Sequence, residues 1–130
     1  MPSVEDVMTK TLLTVEPATE LVEAARQMQS RNVGAVLVLV DDRVAGILTE
    51  RDILHAVAEG KVEGAAVGEW MTGDPETVSP TDSTRLAASL MIHGGFRHLP
   101  VVMESGRPVG IVSIRDLVRV TVDDETPRGA

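Results

Sequence analysis

Apolar positions along the chain follow two different spacings in turn, and the sequence of spacings occurs twice. After Pro17-Ala18-Thr19, residues Leu21, Ala24, Ala25 and Met28 recur at i, i+3, i+4 and i+7, which predicts an amphipathic helix with Thr19 as its cap. The run Ala35-Val36-Leu37-Val38-Leu39-Val40 follows; its length and β-branched content predict a strand buried on both faces. Asp41-Asp42-Arg43 reads as a hairpin turn, although not as a strong two-residue signature. Val44 to Leu48 then reads as a second strand, and a closing helix begins after Thr49 and ends near Gly60. In the second half, Asp82 takes the cap position before Leu86, Ala87, Leu90 and Met91. Leu99 to Met103 and Pro108 to Val112 are the strands, Glu104 to Arg107 the turn, and the closing helix follows Ser113. Both amphipathic helices run into common stop residues, Asn32 and Gly34 in one and Gly94-Gly95 in the other.

The halves also share residues. Val4-Glu5-Asp6-Val7-Met8-Thr9 returns as Val67-Gly68-Glu69-Trp70-Met71-Thr72, 63 positions on, and the same shift carries Met28 onto Met91. After one inserted residue near Gly106, Gly46 to Asp52 maps onto Gly110 to Asp116 at a shift of 64. Two copies of so long a unit point away from a solenoid, which needs about three or more units to bury its core. A half of about 60 residues is marginal alone, so the copies should share a core and pack with pseudo-twofold symmetry, leaving clefts where they meet. The expected layout is repeat 1 over 1–60, a linker over 61–66, repeat 2 over 67–121, and an acidic tail over 122–130 expected to be disordered.

Composition narrows the function. With aromatic content of 2%, the core must be aliphatic, and the stacking platforms of single-strand nucleic-acid binders are missing. A net charge of −8 argues against phosphate-backbone binding, so no nucleic acid is expected as the main partner. The absence of cysteine excludes disulfides, thiolate catalysis and cysteine-based zinc sites. Neither a signal peptide nor an apolar run long enough for a membrane is read, so a cytoplasmic location is expected. His55 and His93 have no acids or cysteines at metal-ligand spacing. With no nucleophile–base pair, phosphate loop or metal cluster, no enzyme is expected.

Two short elements remain. Thr49-x-x-Asp52 and Ser113-x-x-Asp116 fit a helix capping box, yet that motif favours the longer Glu or Gln in the acid position. Each also follows a glycine, Gly46 or Gly110, that permits close backbone approach. Capping and ligand binding are compatible in part. The repeated Val-x-x-x-Met-Thr opening, the repeated Gly-apolar-apolar-[Thr/Ser]-x-x-Asp closing element, and the order of elements between them resemble a CBS domain (named after cystathionine β-synthase). The tandem, spanning about Val4 to Val120, resembles a freestanding Bateman module.

That resemblance implies an α/β fold of two CBS repeats of β-α-β-β-α type and an adenosyl ligand in clefts between them, with no cofactor required. The hydroxyl residue and helix N-terminus would face phosphate or ribose, and the Asp would grip ribose hydroxyls. Ser113 and Asp116 would pair with Met8, Thr9 and Lys10 and with Val33, Gly34 and Ala35. Thr49 and Asp52 would pair with Met71, Thr72 and Gly73 and with Phe96, Arg97 and His98. Met8, Val33 and Phe96 could equally be plain core, and Arg97, His98, Lys10, Arg51 and Arg115 are the basic groups that would decide whether phosphate is welcome. Gly34-Ala35 stands where repeat 2 has Arg97-His98, so unequal clefts are expected. The reading that results is a regulatory sensor of AMP, ADP, ATP, NAD or S-adenosylmethionine that pairs as a homodimer. Ile53, Leu54, Val57, Leu117, Val118 and Val120 offer faces for that pairing, with intramolecular core as the alternative role of the same stripes. The rivals are an interaction module with empty clefts, and an acidic subunit that regulates a separate effector protein.

Overall fold

The computed structural model describes residues 2–123. Repeat 1 runs α1 (Val4–Val7), β1 (Thr14–Val15), α2 (Leu21–Arg31), β2 (Ala35–Val40), β3 (Arg43–Thr49) and α3 (Glu50–Ala58). Repeat 2 runs α4 (Val67–Trp70), β4 (Thr72–Gly73), α5 (Thr84–Gly94), β5 (His98–Val102), β6 (Pro108–Ser113) and α6 (Ile114–Asp123). The architecture is α/β, two repeats in one module. α6 extends past the expected boundary at 121, and the remainder of the expected acidic tail, 124–130, lies outside the described residues.

The opening segments, expected to be extended, each begin with a single helical turn, and Met8 and Met71 then carry the chain into extended backbone. The α2 cap is also displaced by one residue. Glu20 is the N-cap, and Thr19 instead accepts the Glu16 amide at 3.1 Å in the turn before it. Ser83, not Asp82, caps α5, its hydroxyl accepting the Leu86 amide at 3.1 Å; Asp82 accepts the Ser79 amide one turn earlier. At α5 the short side chains compete for one turn, and Ser83, which reaches the third helical amide, becomes the cap. Glu20 instead caps α2 by backbone position, with no side-chain bond to a helical amide. At the far ends, Asn32 (φ 55°) and Gly95 (φ 73°) take the left-handed conformation that stops a helix. The β2–β3 turn is tighter than its sequence implied. Asp41 and Asp42 both sit at positive φ, which aspartate tolerates, giving a two-residue hairpin.

The opening segments cross over. Thr72 and Gly73 pair antiparallel with Ile47 and Gly46, so the opening of repeat 2 forms the last strand of a sheet ordered β1-β2-β3-β4 in repeat 1. In the reciprocal place, Thr9 bridges to Ile111 on the free edge of β6, with bonds of 2.9 and 3.0 Å between their backbones. The cores follow the same exchange. Val67, Trp70 and Met71 pack with Leu21, Met28, Val36 and Leu48 of repeat 1, while Val4, Val7 and Met8 pack with Met91, Leu99, Val101 and Val112 of repeat 2. Val4 and Val67 are fully buried, each worth about 1.5–3 kcal/mol by area. A third cluster of Ala35, Leu37 and Ile47, joined by Ile111, fills the seam between the repeats.

Candidate ligand clefts between the repeats

The crossover brings the opening motif of each repeat beside the closing motif of the other. Met8 lies over Gly110: a methyl group there would stand 2.5 Å from the Met8 sulfur and 3.0 Å from the Thr9 carbonyl oxygen. Met71 lies over Gly46 in the same way, at 2.5 Å from its sulfur and 2.9 Å from the Thr72 carbonyl oxygen. Only glycine permits either approach. Beyond each glycine the strand turns directly into the closing helix, so Ser113 and Asp116, or Thr49 and Asp52, stand at the helix start next to the borrowed segment.

Both closing elements form capping boxes, but unequal ones. Asp52 Oδ2 accepts the Thr49 amide at 2.9 Å and the Thr49 hydroxyl at 3.1 Å, and the same hydroxyl accepts the Asp52 amide at 3.4 Å. Asp116 Oδ2 accepts the Ser113 amide at 2.8 Å and Ser113 Oγ accepts the Asp116 amide at 3.1 Å. The Thr49 proton is thereby committed to Asp52, whereas the Ser113 hydroxyl keeps its proton for another acceptor. Asp116 is 7% exposed and Asp52 only half-buried, so the second site is also the better shielded. One carboxylate oxygen in each box carries no such bond and could accept ribose hydroxyls.

The remaining candidates divide between the clefts, the repeat cores and the surface. Ala35 is buried in register with Thr49, within the seam cluster, and Gly73 is in register with Gly46. Lys10, Arg97 and Arg115 are exposed. Val33 and Phe96, equivalent positions, turn back into their own repeats: Val33 packs on the repeat 1 core, and Phe96 covers Gly94 and packs on the repeat 2 core. Phe96 stays half-buried there, as Met8 does on the same core. His98 was grouped with Thr49 and Asp52, but its register partner is Ser113, and its imidazole reaches the seam, where Glu50 and Asp116 both act on it. Burial pushes its pKa below the ordinary 6.5 against the pull of the Glu50 and Asp116 carboxylates, and the Arg97 guanidinium adds to the lowering.

Glu50 is the residue that sequence reading passed over. It occupies a variable position of the closing motif, and the only signal was its contrast with Ile114 in the other copy. Among the described residues no cluster of His, Asp and Glu could hold a metal ion, and no helix is long and apolar enough to cross a membrane.

The CBS domain family profile matches residues 4–59 and again 67–123. The chain belongs to the CBS domain family. Its two CBS repeats coincide with the two copies of the opening and closing motifs. The CBS domain-containing protein YhcV of Bacillus subtilis is 36% identical over 131 residues, spanning all of this chain and 93% of YhcV. The crystal structure of the CBS domain pair of MJ0100, in complex with 5′-methylthioadenosine and S-adenosyl-L-methionine, matches with a TM-score of 0.90 and 26% identity, over 95% of this chain and 98% of that one. The structure of Arabidopsis thaliana CBSX2 in complex with AMP matches with a TM-score of 0.84 and 26% identity, over 95% and 99%. Tandem CBS packing is therefore the fold of this chain.

Proposed function

We propose that this CBS pair is a regulatory sensor that holds an adenosyl small molecule in the clefts between its repeats and has no catalytic role of its own. The observation that carries this reading is the crossover. It lays Met8 and Thr9 on Gly110 and Ile111, and Met71 to Gly73 on Gly46 and Ile47, which supports clefts walled by both repeats. The adenosyl complexes of MJ0100 and CBSX2 support the ligand class. A ligand bridging the seam would hold the repeats together by RT ln(1 + [L]/Kd), about 2.7 kcal/mol at a hundredfold excess over Kd. That linkage is the signal a downstream partner would read. A cytoplasmic setting and a separate effector protein belong to the same proposal.

The test is a thermal-shift panel of AMP, ADP, ATP, NAD and S-adenosylmethionine on the full chain. At least one should raise the melting temperature, and Asp116→Ala should abolish the rise at its cleft. A flat panel confirmed by calorimetry sinks the sensor and leaves the second reading, an interaction module with empty clefts. That reading is favoured by the engagement of Asp52 and Asp116 in capping bonds and by the exposure of Leu54 and Val57 on α3.

A further inference from the structure

Gly34 and Arg97 are equivalent residues of the two repeats, and so are Glu50 and Ile114. The Gly34 carbonyl accepts the Glu50 amide at 3.1 Å, and the Arg97 carbonyl accepts the Ile114 amide at 2.9 Å. At this shared contact the repeats carry opposite charge. Repeat 2 has a guanidinium and an aliphatic side chain; repeat 1 has no side chain and a carboxylate. Because residue 34 is glycine, the Glu50 carboxylate can lie over its backbone. A Cβ at 34 would stand 2.9 Å from Glu50 Oε1 and 3.5 Å from His98 Nε2. A carboxylate of repeat 1 and an imidazole of repeat 2 therefore share the space above Gly34. Asp116 is a second carboxylate acting on that imidazole, and Arg97 is the cation acting on it.

We propose that Glu50 is a specificity-determining residue of the Ser113–Asp116 cleft, setting it against a 5′-phosphate and in favour of adenosyl ligands with a neutral or cationic 5′ group. The proposal rests on the adenosyl reading above and names the ligand class for one of its clefts. His98 lies in register with Ser113, so a nucleoside whose ribose is held by Asp116 has the seam, and Glu50 from the facing repeat, within reach of its 5′ end. Glu50 is itself exposed while Asp116 is buried, so the Glu50 unit charge, a few ångströms from the site, acts through partial screening by water and salt, which low ionic strength reduces. The α6 N-terminus and Arg97 pull the other way, so the filter acts on the ratio of affinities and does not exclude phosphate outright. The equivalent position beside the Thr49–Asp52 cleft is Ile114, which carries no such charge.

AMP and 5′-methylthioadenosine share base and ribose and differ in the charge at the 5′ position, so titration calorimetry with both, at pH 7.5 and low salt, isolates the effect. At the site that Asp116→Ala removes, the unmodified chain should bind methylthioadenosine at least about tenfold more tightly than AMP. Glu50→Gln should narrow that ratio by roughly tenfold, through AMP alone. A mere loss of stability would lower both affinities together and leave the ratio as it was. An unchanged ratio, AMP as the tighter ligand of the unmodified chain, or a Glu50 effect confined to the site that Asp52→Ala removes overturns the filter and leaves the adenosyl reading standing. Binding of neither ligand to either protein overturns both.

Discussion

His98 shows how a single side chain can be read from sequence in kind and only from structure in place. A basic residue before the Leu99-Pro100 strand was expected near phosphate, but its imidazole sits at the seam between carboxylates of both repeats, and burial holds its pKa below 6.5. The folded state therefore binds fewer protons than the unfolded one between the lowered value and 6.5. Stability from this group is complete above 6.5, falls as the pH drops through that window, and is constant below it. The melting temperature should decline as the pH falls below 6.5, and His98→Gln should flatten that decline. Glu50→Gln removes a carboxylate that favours the imidazolium, so it should lower the His98 titration further, as followed by NMR of the ring protons. A His98 titration that rises in Glu50→Gln would contradict the seam geometry.

At the scale of elements, the glycine before each closing motif does the positioning. The sequence pattern marked Gly46 and Gly110 as places of close approach, because both precede a strand-to-helix turn in both copies. What approaches them is not carried by the periodicity of either copy; only the family resemblance implied it, by pairing Met8 with Ser113 and Asp116 and Met71 with Thr49 and Asp52. Gly46→Ala would place a methyl group 2.9 Å from the Thr72 carbonyl oxygen, a backbone atom that cannot swing aside as the Met71 sulfur can. Its cost should be about 1–3 kcal/mol, the usual range for overpacking, read by urea unfolding. Gly73→Ala, across the same pair of strands, meets nothing within 4 Å and should be close to neutral. Equal effects from the two substitutions would mean that β4 does not pack on β3 as described. The helix caps were legible only to within a residue, because Thr19 and Asp82 bond amides of the turn before the helix, Ser83 bonds a helical amide, and Glu20 caps by backbone position alone.

For the whole molecule, exposed aliphatic side chains concentrate on the helices. Leu54 (64% exposed) and Val57 (56%) stand out on α3, and Val118 (53%) on α6, while Ile53 and Leu117 beside them are half-buried in the repeat cores. The closing-helix stripe expected to serve a homodimer thus divides into an intramolecular half and an exposed half. If the exposed half joins two modules, light scattering should give a mass near twice 13.9 kDa, and Leu54→Glu with Val57→Glu should halve it without lowering the melting temperature by more than a few degrees. A monomer at every concentration would remove the homodimer from the proposal.

The sequence by itself determined the repeat, the order of elements, the α/β class and the family, because each rests on local periodicity, turn residues or short motifs within one copy. The resemblance also implied that each opening segment meets the other copy's closing element, and the tertiary structure gave that exchange its contacts. Val33 and Phe96 pack on the cores of their own repeats, Met8 and Met71 lie over the glycines of the facing repeat, and Glu50 lies beside His98. These are contacts between residues distant in the chain, set by how two similar surfaces pack, and the periodicity within one copy does not encode them.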